Sequence, residues 1–136
     1  MRELERCYMI RQEIREIDDK ICELKMSVYY PSGSNMDGMP RRSSGDNAYD
    51  RYMVRLDTLS QQKYIYTEEL NEEWREVVRV FRSCGVTDEE KSIMKSRFYY
   101  GMSWQDSAKY NKCDESKCFR IYAKVRKKAR SHKWAR

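Results

Sequence analysis

Four cations near the end of the chain, Lys117, Arg120, Lys124 and Lys127, are spaced 3, 4 and 3. On a helix that spacing puts them on one face. A guanidinium there can pair bidentately with the O6 and N7 of guanine, and an ammonium meets phosphate oxygens as a point charge. Ser116 precedes the four and Lys128 follows; an early-helix hydroxyl can contact phosphate or a base edge. Glu115 can accept from a cytosine amino group or simply complement the helix dipole. The run from Arg126 to Arg136 reads as an electrostatic contributor blind to sequence. Ser116, Lys117, Arg120, Lys124, Lys127 and Lys128 are therefore candidate DNA contacts, against the plainer reading of a solvated basic end.

The charge distribution bears on that choice. The 136-residue chain has a formal net charge of +6. Residues 1–86 carry 14 Lys/Arg and 16 Asp/Glu, a balance of −2, whereas residues 87–136 carry 14 and 6, a balance of +8. A basic excess confined to the C-terminal third favours a polyanionic partner there, nucleic acid ahead of a membrane surface. Apolar residues make up 40% and charged residues 37%, which suits long amphipathic helices with a thin core.

Other chemistries find little support. The five cysteines, Cys7, Cys22, Cys84, Cys113 and Cys118, are odd in number and irregularly spaced. They read as reduced thiols in a cytoplasm, and the charged N-terminus does not read as a signal peptide. With one histidine, His132, and no Cys-x-x-Cys pair, neither a zinc site nor any other cofactor is expected. No nucleophile–base pair or phosphate-cradling glycine loop points to an enzyme. No apolar run approaches the roughly 20 residues of a membrane span.

The elements that must position the cations follow from periodicity. Cys7, Ile10, Ile14, Ile17, Ile21, Leu24 and Val28 are spaced alternately 3 and 4, a heptad stripe that predicts a helix over about 2–28. Pro31 to Asn47 holds both prolines, three glycines and four serines and is expected to be a flexible loop; its Arg41 and Arg42 read as solvated linker charges ahead of phosphate contacts. Tyr49, Tyr52, Leu56, Leu59, Tyr66, Leu70, Val77 and Val80 predict a second helix over about 48–83, with Lys63 and Glu73 interrupting its stripe. Two such helices should pair antiparallel, within one chain or between chains. A two-helix hairpin has a narrow core, so Ile10, Ile14, Ile17, Ile21 and Leu24 are candidate self-association residues.

Three further helix starts lie beyond Cys84-Gly85. Thr87 and Glu90 form a capping-box pattern, and Gly101 suits a left-handed helix end. Ser103 with Asp106 repeats the capping logic for a short helix to about Tyr110. Asn111 is expected to take positive φ in the turn, and Asp114 to cap a last helix over about 115–131. On that helix Cys118, Tyr122, Val125 and Ala129 form an apolar stripe opposite the cations. A short helix, a tight turn and a helix packed on one side and basic on the other have recognition-helix geometry. Trp104 reads as a core residue joining the motif to the preceding helix, Tyr99 and Tyr100 as half-buried contacts, and Arg97 as an ion-pair partner of Asp106.

The stretch Arg97-Phe98-Tyr99-Tyr100-Gly101-Met102-Ser103-Trp104-Gln105-Asp106-Ser107-Ala108 resembles the R-Y/F-x-x-G-x-S-x-x-E-I-A opening of sigma-factor region 4 and related helix-turn-helix domains. The whole chain resembles phage late-transcription regulators of the RinA/ArpU type, in architecture over roughly 4–130 and in motif from Arg97 to Ala129. The resemblance implies a sequence-specific DNA-binding activator of phage late genes for packaging and structural proteins. Ser107, Asn111 and Lys112 depart from the pattern, which usually has Ile, Leu and Gly there. Two readings remain at this point. One is an all-α DNA-binding regulator, with a helical hairpin over 1–84, a helix-turn-helix domain over 86–131 and a basic tail over 132–136. Its partners would be double-stranded DNA and copies of itself. The other is a coiled-coil interaction protein or sigma-like adaptor that touches RNA polymerase or a packaging component, with weak or no specific DNA binding.

Overall fold

A computed structural model describes the backbone of residues 2–29 and 42–134. Every element in it is helical. Helix α1 spans Arg2–Tyr29 and α2 spans Arg42–Ser83, paired as a long antiparallel hairpin. Smaller helices follow and pack together: α3 (Asp88–Met94), α4 (Trp104–Tyr110) and α5 (Glu115–Trp134), with a π-helical turn at Lys95–Tyr99 continuing α3. No described helix is long and apolar enough to cross a membrane.

The polar interruptions of the α2 stripe are answered by charges on α1. Arg6 pairs with Glu73 at 3.0 Å and Asp18 with Lys63 at 2.7 Å. As α1 advances from 6 to 18, its partner on α2 retreats from 73 to 63, which is the antiparallel register. α2 starts earlier than expected: residues 42–47, assigned above to the loop, are helical. Adding a residue to an existing helix costs far less than nucleating one, so a long helix can extend through weak helix formers. The expected loop before residue 42 lies outside the described residues. α5 likewise runs three residues past 131, taking 132–134 of the expected tail into the helix.

The chain forms two compact units, Glu13–Tyr66 and a head made of Met1–Gln12 with Thr67–Arg136. In the first, Ile14, Ile17 and Leu59 are buried, and Ile21 and Leu24 are half-buried. In the head, Leu4, Cys7 and Ile10 of α1 and Leu70, Trp74, Val77 and Phe81 of α2 are buried with the C-terminal helices. Ile10, Ile14 and Ile17, proposed above for self-association, are thus buried within a single chain.

Caps govern the joins between these helices. Gly85 ends α2 at φ +76, and the Val86 N–H donates to the Phe81 carbonyl at 3.0 Å. The Thr87–Glu90 capping box is complete in both directions. Gly101, at φ +73, ends the π turn, with the Met102 N–H on the Ser96 carbonyl at 3.1 Å. Both glycines sit where a Cβ would strain the backbone.

The π turn carries three residues that join the C-terminal helices to the hairpin end. The Arg97 guanidinium lies 4.3 Å from the Tyr8 ring centroid. Phe98 meets Tyr8 edge-on at 6.4 Å. Tyr99 donates its hydroxyl to Asn71, and its carbonyl accepts from Arg11 Nε at 2.7 Å. Arg97 does not pair with Asp106 as the sequence reading expected. It donates to the Met102 carbonyl at 2.9 Å and stacks 4.9 Å from the Trp104 ring. A planar guanidinium gains more from stacking between aromatic faces than from an exposed carboxylate.

Candidate nucleic-acid interface

The α4–turn–α5 pair is built as its caps predict. Ser103 Oγ accepts from the Asp106 N–H at 3.0 Å, and Asp114 Oδ1 accepts from the Lys117 N–H at 2.9 Å. Small and apolar residues let the two helices meet: Ala108, Cys118, Ile121, Val125 and Ala129 are all buried. Ile121 takes the buried position that the sequence reading gave to Tyr122, which is half-buried.

The turn differs from expectation. Asn111 has φ −92, and Lys112 takes the positive value, φ +55. The Asn111 side chain is held elsewhere. Its Nδ2 donates to Ser96 Oγ at 3.0 Å and to the Ser107 carbonyl at 2.8 Å, while its Oδ1 accepts from Ser92 Oγ at 2.7 Å. Ser96 and Ser107, both fully buried, hydrogen-bond to each other. Ser96, Ser107 and Asn111 thus share one polar network, and a buried polar group is tolerable when so partnered.

Beside the network, Cys113 Sγ lies 3.5 Å from Cys118 Sγ. Burial first, and then its neighbour Cys113, push the Cys118 thiol up to about 11. Both thiols are free.

Structure divides the six candidate DNA residues into two groups. Lys128 Nζ lies 2.8 Å from Glu90 and 3.1 Å from the Gly85 carbonyl; Lys124 lies 3.4 Å from Glu90; Lys117 lies 3.1 Å from Glu89. These three clasp α5 to the start of α3. Glu90 is 4% exposed. Burial pushes its carboxyl up, but Lys128, the Thr87 N–H and Lys124 together outweigh that, and the group titrates below the usual carboxylate range. Ser116, Arg120 and Lys127 face solvent, and Arg120 and Lys127 make no ion pair or hydrogen bond among the described residues. Together with Ala123 and Arg130 they form a stripe spaced 4, 3, 4 and 3, opposite the buried stripe.

Sequence reasoning missed two parts of this site. Glu89 and Glu90 were visible only as capping acids, because Lys128 lies 38 residues from Glu90 in the chain. Phe119, 49% exposed, was passed over. It belongs to an aromatic cluster in which Trp104 meets Phe119 at 5.0 Å, Tyr122 at 5.3 Å and Phe98 at 5.9 Å. Trp104 is half-buried there. Comparison of the chain with protein-family models, curated proteins and solved structures finds no match.

Proposed function

We propose that this chain is a sequence-specific double-stranded DNA-binding regulator of transcription, with α5 as its groove-reading helix. The observation that carries this reading is the solvent stripe of Ser116, Arg120, Ala123, Lys127 and Arg130. It lies on a helix whose only acid is Glu115, in the first turn. The nearby acids Glu89 and Glu90 are engaged by other lysines. A cationic face with no internal counter-charge suits a polyanion, and a helix behind a capped short helix suits the major groove. The resemblance of Arg97–Ala108 to sigma region 4 supports the further proposal of an activator of phage late genes. Selection of bound fragments from genomic DNA, followed by salt titration on the winner, tests it. The expected result is one enriched sequence and an affinity that falls steeply with salt. Enrichment of no sequence would overturn it.

A second reading, the adaptor or interaction protein, is favoured by the apolar side chains left exposed on residues 13–66. Met26, Val28, Tyr49, Met53 and Val54 are each at least 43% exposed there. Such a surface suits a protein partner, RNA polymerase or a packaging component among them, or a second copy of the chain. Self-association through this hairpin unit is compatible with DNA binding by the head.

A further inference from the structure

We propose that Phe119, with Ala123 one turn further on, reads the 5-methyl group of thymine in the DNA major groove. This rests on the proposed DNA-binding function and names a specificity contact within it. Ser116, Phe119 and Ala123 are spaced 3 and 4 and all are exposed, so they make an uncharged strip along the outer face of α5. Arg120 and Lys127 border that strip on one side; on the other lie Glu115, one turn before Phe119, and Arg126, beside Ala123. An uncharged strip with the apolar Phe119 and Ala123 beside a row of cations is complementary to a groove whose floor carries methyl groups between two rows of phosphates.

Phe119 is held for that task. Its ring is braced by Trp104 at 5.0 Å, and Trp104 is in turn fixed against Phe98 and Tyr122. Arg97 stacks on Trp104 from the π turn, 4.9 Å from its centroid. The ring therefore projects from a rigid base while remaining 49% exposed. Phosphate and sugar offer it no matching contact. In the major groove the thymine methyl is the apolar feature, and Phe and Ala side chains are suited to meet it. Arg120, one position on, is in reach of a neighbouring base edge, so one turn of helix would read an apolar and a polar feature side by side.

The test uses the full chain and its selected duplex, with thymines replaced one at a time by uracil, which removes only the methyl group. At one or two positions affinity should fall about fourfold, the transfer value of a single methylene-sized group. Phe119→Ala should lose a similar factor on the thymine duplex and become indifferent to uracil there. Arg120→Ala should keep the uracil penalty. Phe119→Leu, which retains apolar bulk against Trp104, should melt like the parent and keep a reduced penalty. A specific site bound equally well with thymine or uracil throughout would overturn this inference and leave the proposed function standing. A penalty unchanged in both Phe119 variants would also overturn it. Absence of any preferred sequence would overturn both.

Discussion

Ser96, Ser107 and Asn111 form a network in which each member is acceptable because the others are present. Removing Asn111 takes one donor from the buried Ser96 hydroxyl and one from the Ser107 carbonyl, and leaves the Ser92 hydroxyl without its acceptor, while Ser96 and Ser107 keep each other. Asn111→Ala should cost roughly 1–3 kcal/mol in urea melts. Ser96→Ala combined with Ser107→Ala and Asn111→Leu should cost less than the sum of the separate changes, since removing all partners avoids unpaired groups. Additive losses would mean that the hydrogen bonds act independently. Glu90 gives a second residue-scale expectation. Its folded pKa is lowered, so its contribution to stability is complete above the ordinary carboxylate range. It fades as pH falls from that range through the lowered folded value. Glu90→Gln should therefore reduce stability at neutral pH and flatten the acid limb of a stability–pH curve. Parallel curves for parent and variant would show that the carboxylate's charge is not the source.

At the scale of the element, α5 carries three kinds of surface. Cys118, Ile121, Val125 and Ala129 face the core; Lys117, Lys124 and Lys128 face the acids of α3; Ser116, Arg120, Ala123 and Lys127 face solvent. Mutations should sort accordingly. Arg120→Ala should lose preference for the specific duplex by roughly 1–3 kcal/mol, the value of a bidentate base contact. Lys127→Ala should weaken specific and scrambled duplexes alike and lower the salt slope by about one unit. Lys128→Ala should act mainly on stability, by roughly 1–3 kcal/mol, because it leaves the buried Glu90 carboxylate short of its nearest partner. Identical behaviour of Arg120→Ala and Lys127→Ala on both duplexes would reduce the solvent stripe to a non-specific surface.

For the whole molecule, the burial of the α1 stripe changes what its substitution means. Ile14 is 1% exposed in the single chain. Ile14→Asp should therefore unfold the hairpin, at a cost of several kcal/mol, without first producing a folded subunit. Ile21, half-buried, is the better probe of association. If the hairpin self-associates, Ile21→Asp should lower the mass in sedimentation while the helical circular dichroism persists. An unchanged mass beside an associated parent would exclude Ile21 from the interface. The head should depend on both chain ends of the hairpin, since Tyr8, Arg11 and Asn71 hold Arg97, Phe98 and Tyr99. Residues 86–131 expressed alone would lack those partners.

The all-helical class, the two long helices, the capped starts at Thr87, Ser103 and Asp114, and the glycine stops at Gly85 and Gly101 were legible in the sequence. All of them depend on interactions within a few residues, through apolar spacing, N-cap hydrogen bonds or the freedom of glycine. The charge asymmetry was also legible, because it needs only counting. Tertiary structure alone decided which cations are available. Lys117 and Arg120 share a spacing pattern, yet one meets Glu89 and the other faces solvent. Periodicity says that residues share a face and cannot say what lies opposite it. The same holds for Asn111. Its turn propensity predicted positive φ, but Ser92, Ser96 and Ser107 bind its side chain and move that geometry to Lys112. The burial of Ile10, Ile14 and Ile17 was likewise set by helices arriving from elsewhere in the chain, because the cover of a hydrophobic stripe is a property of its neighbours and not of the stripe.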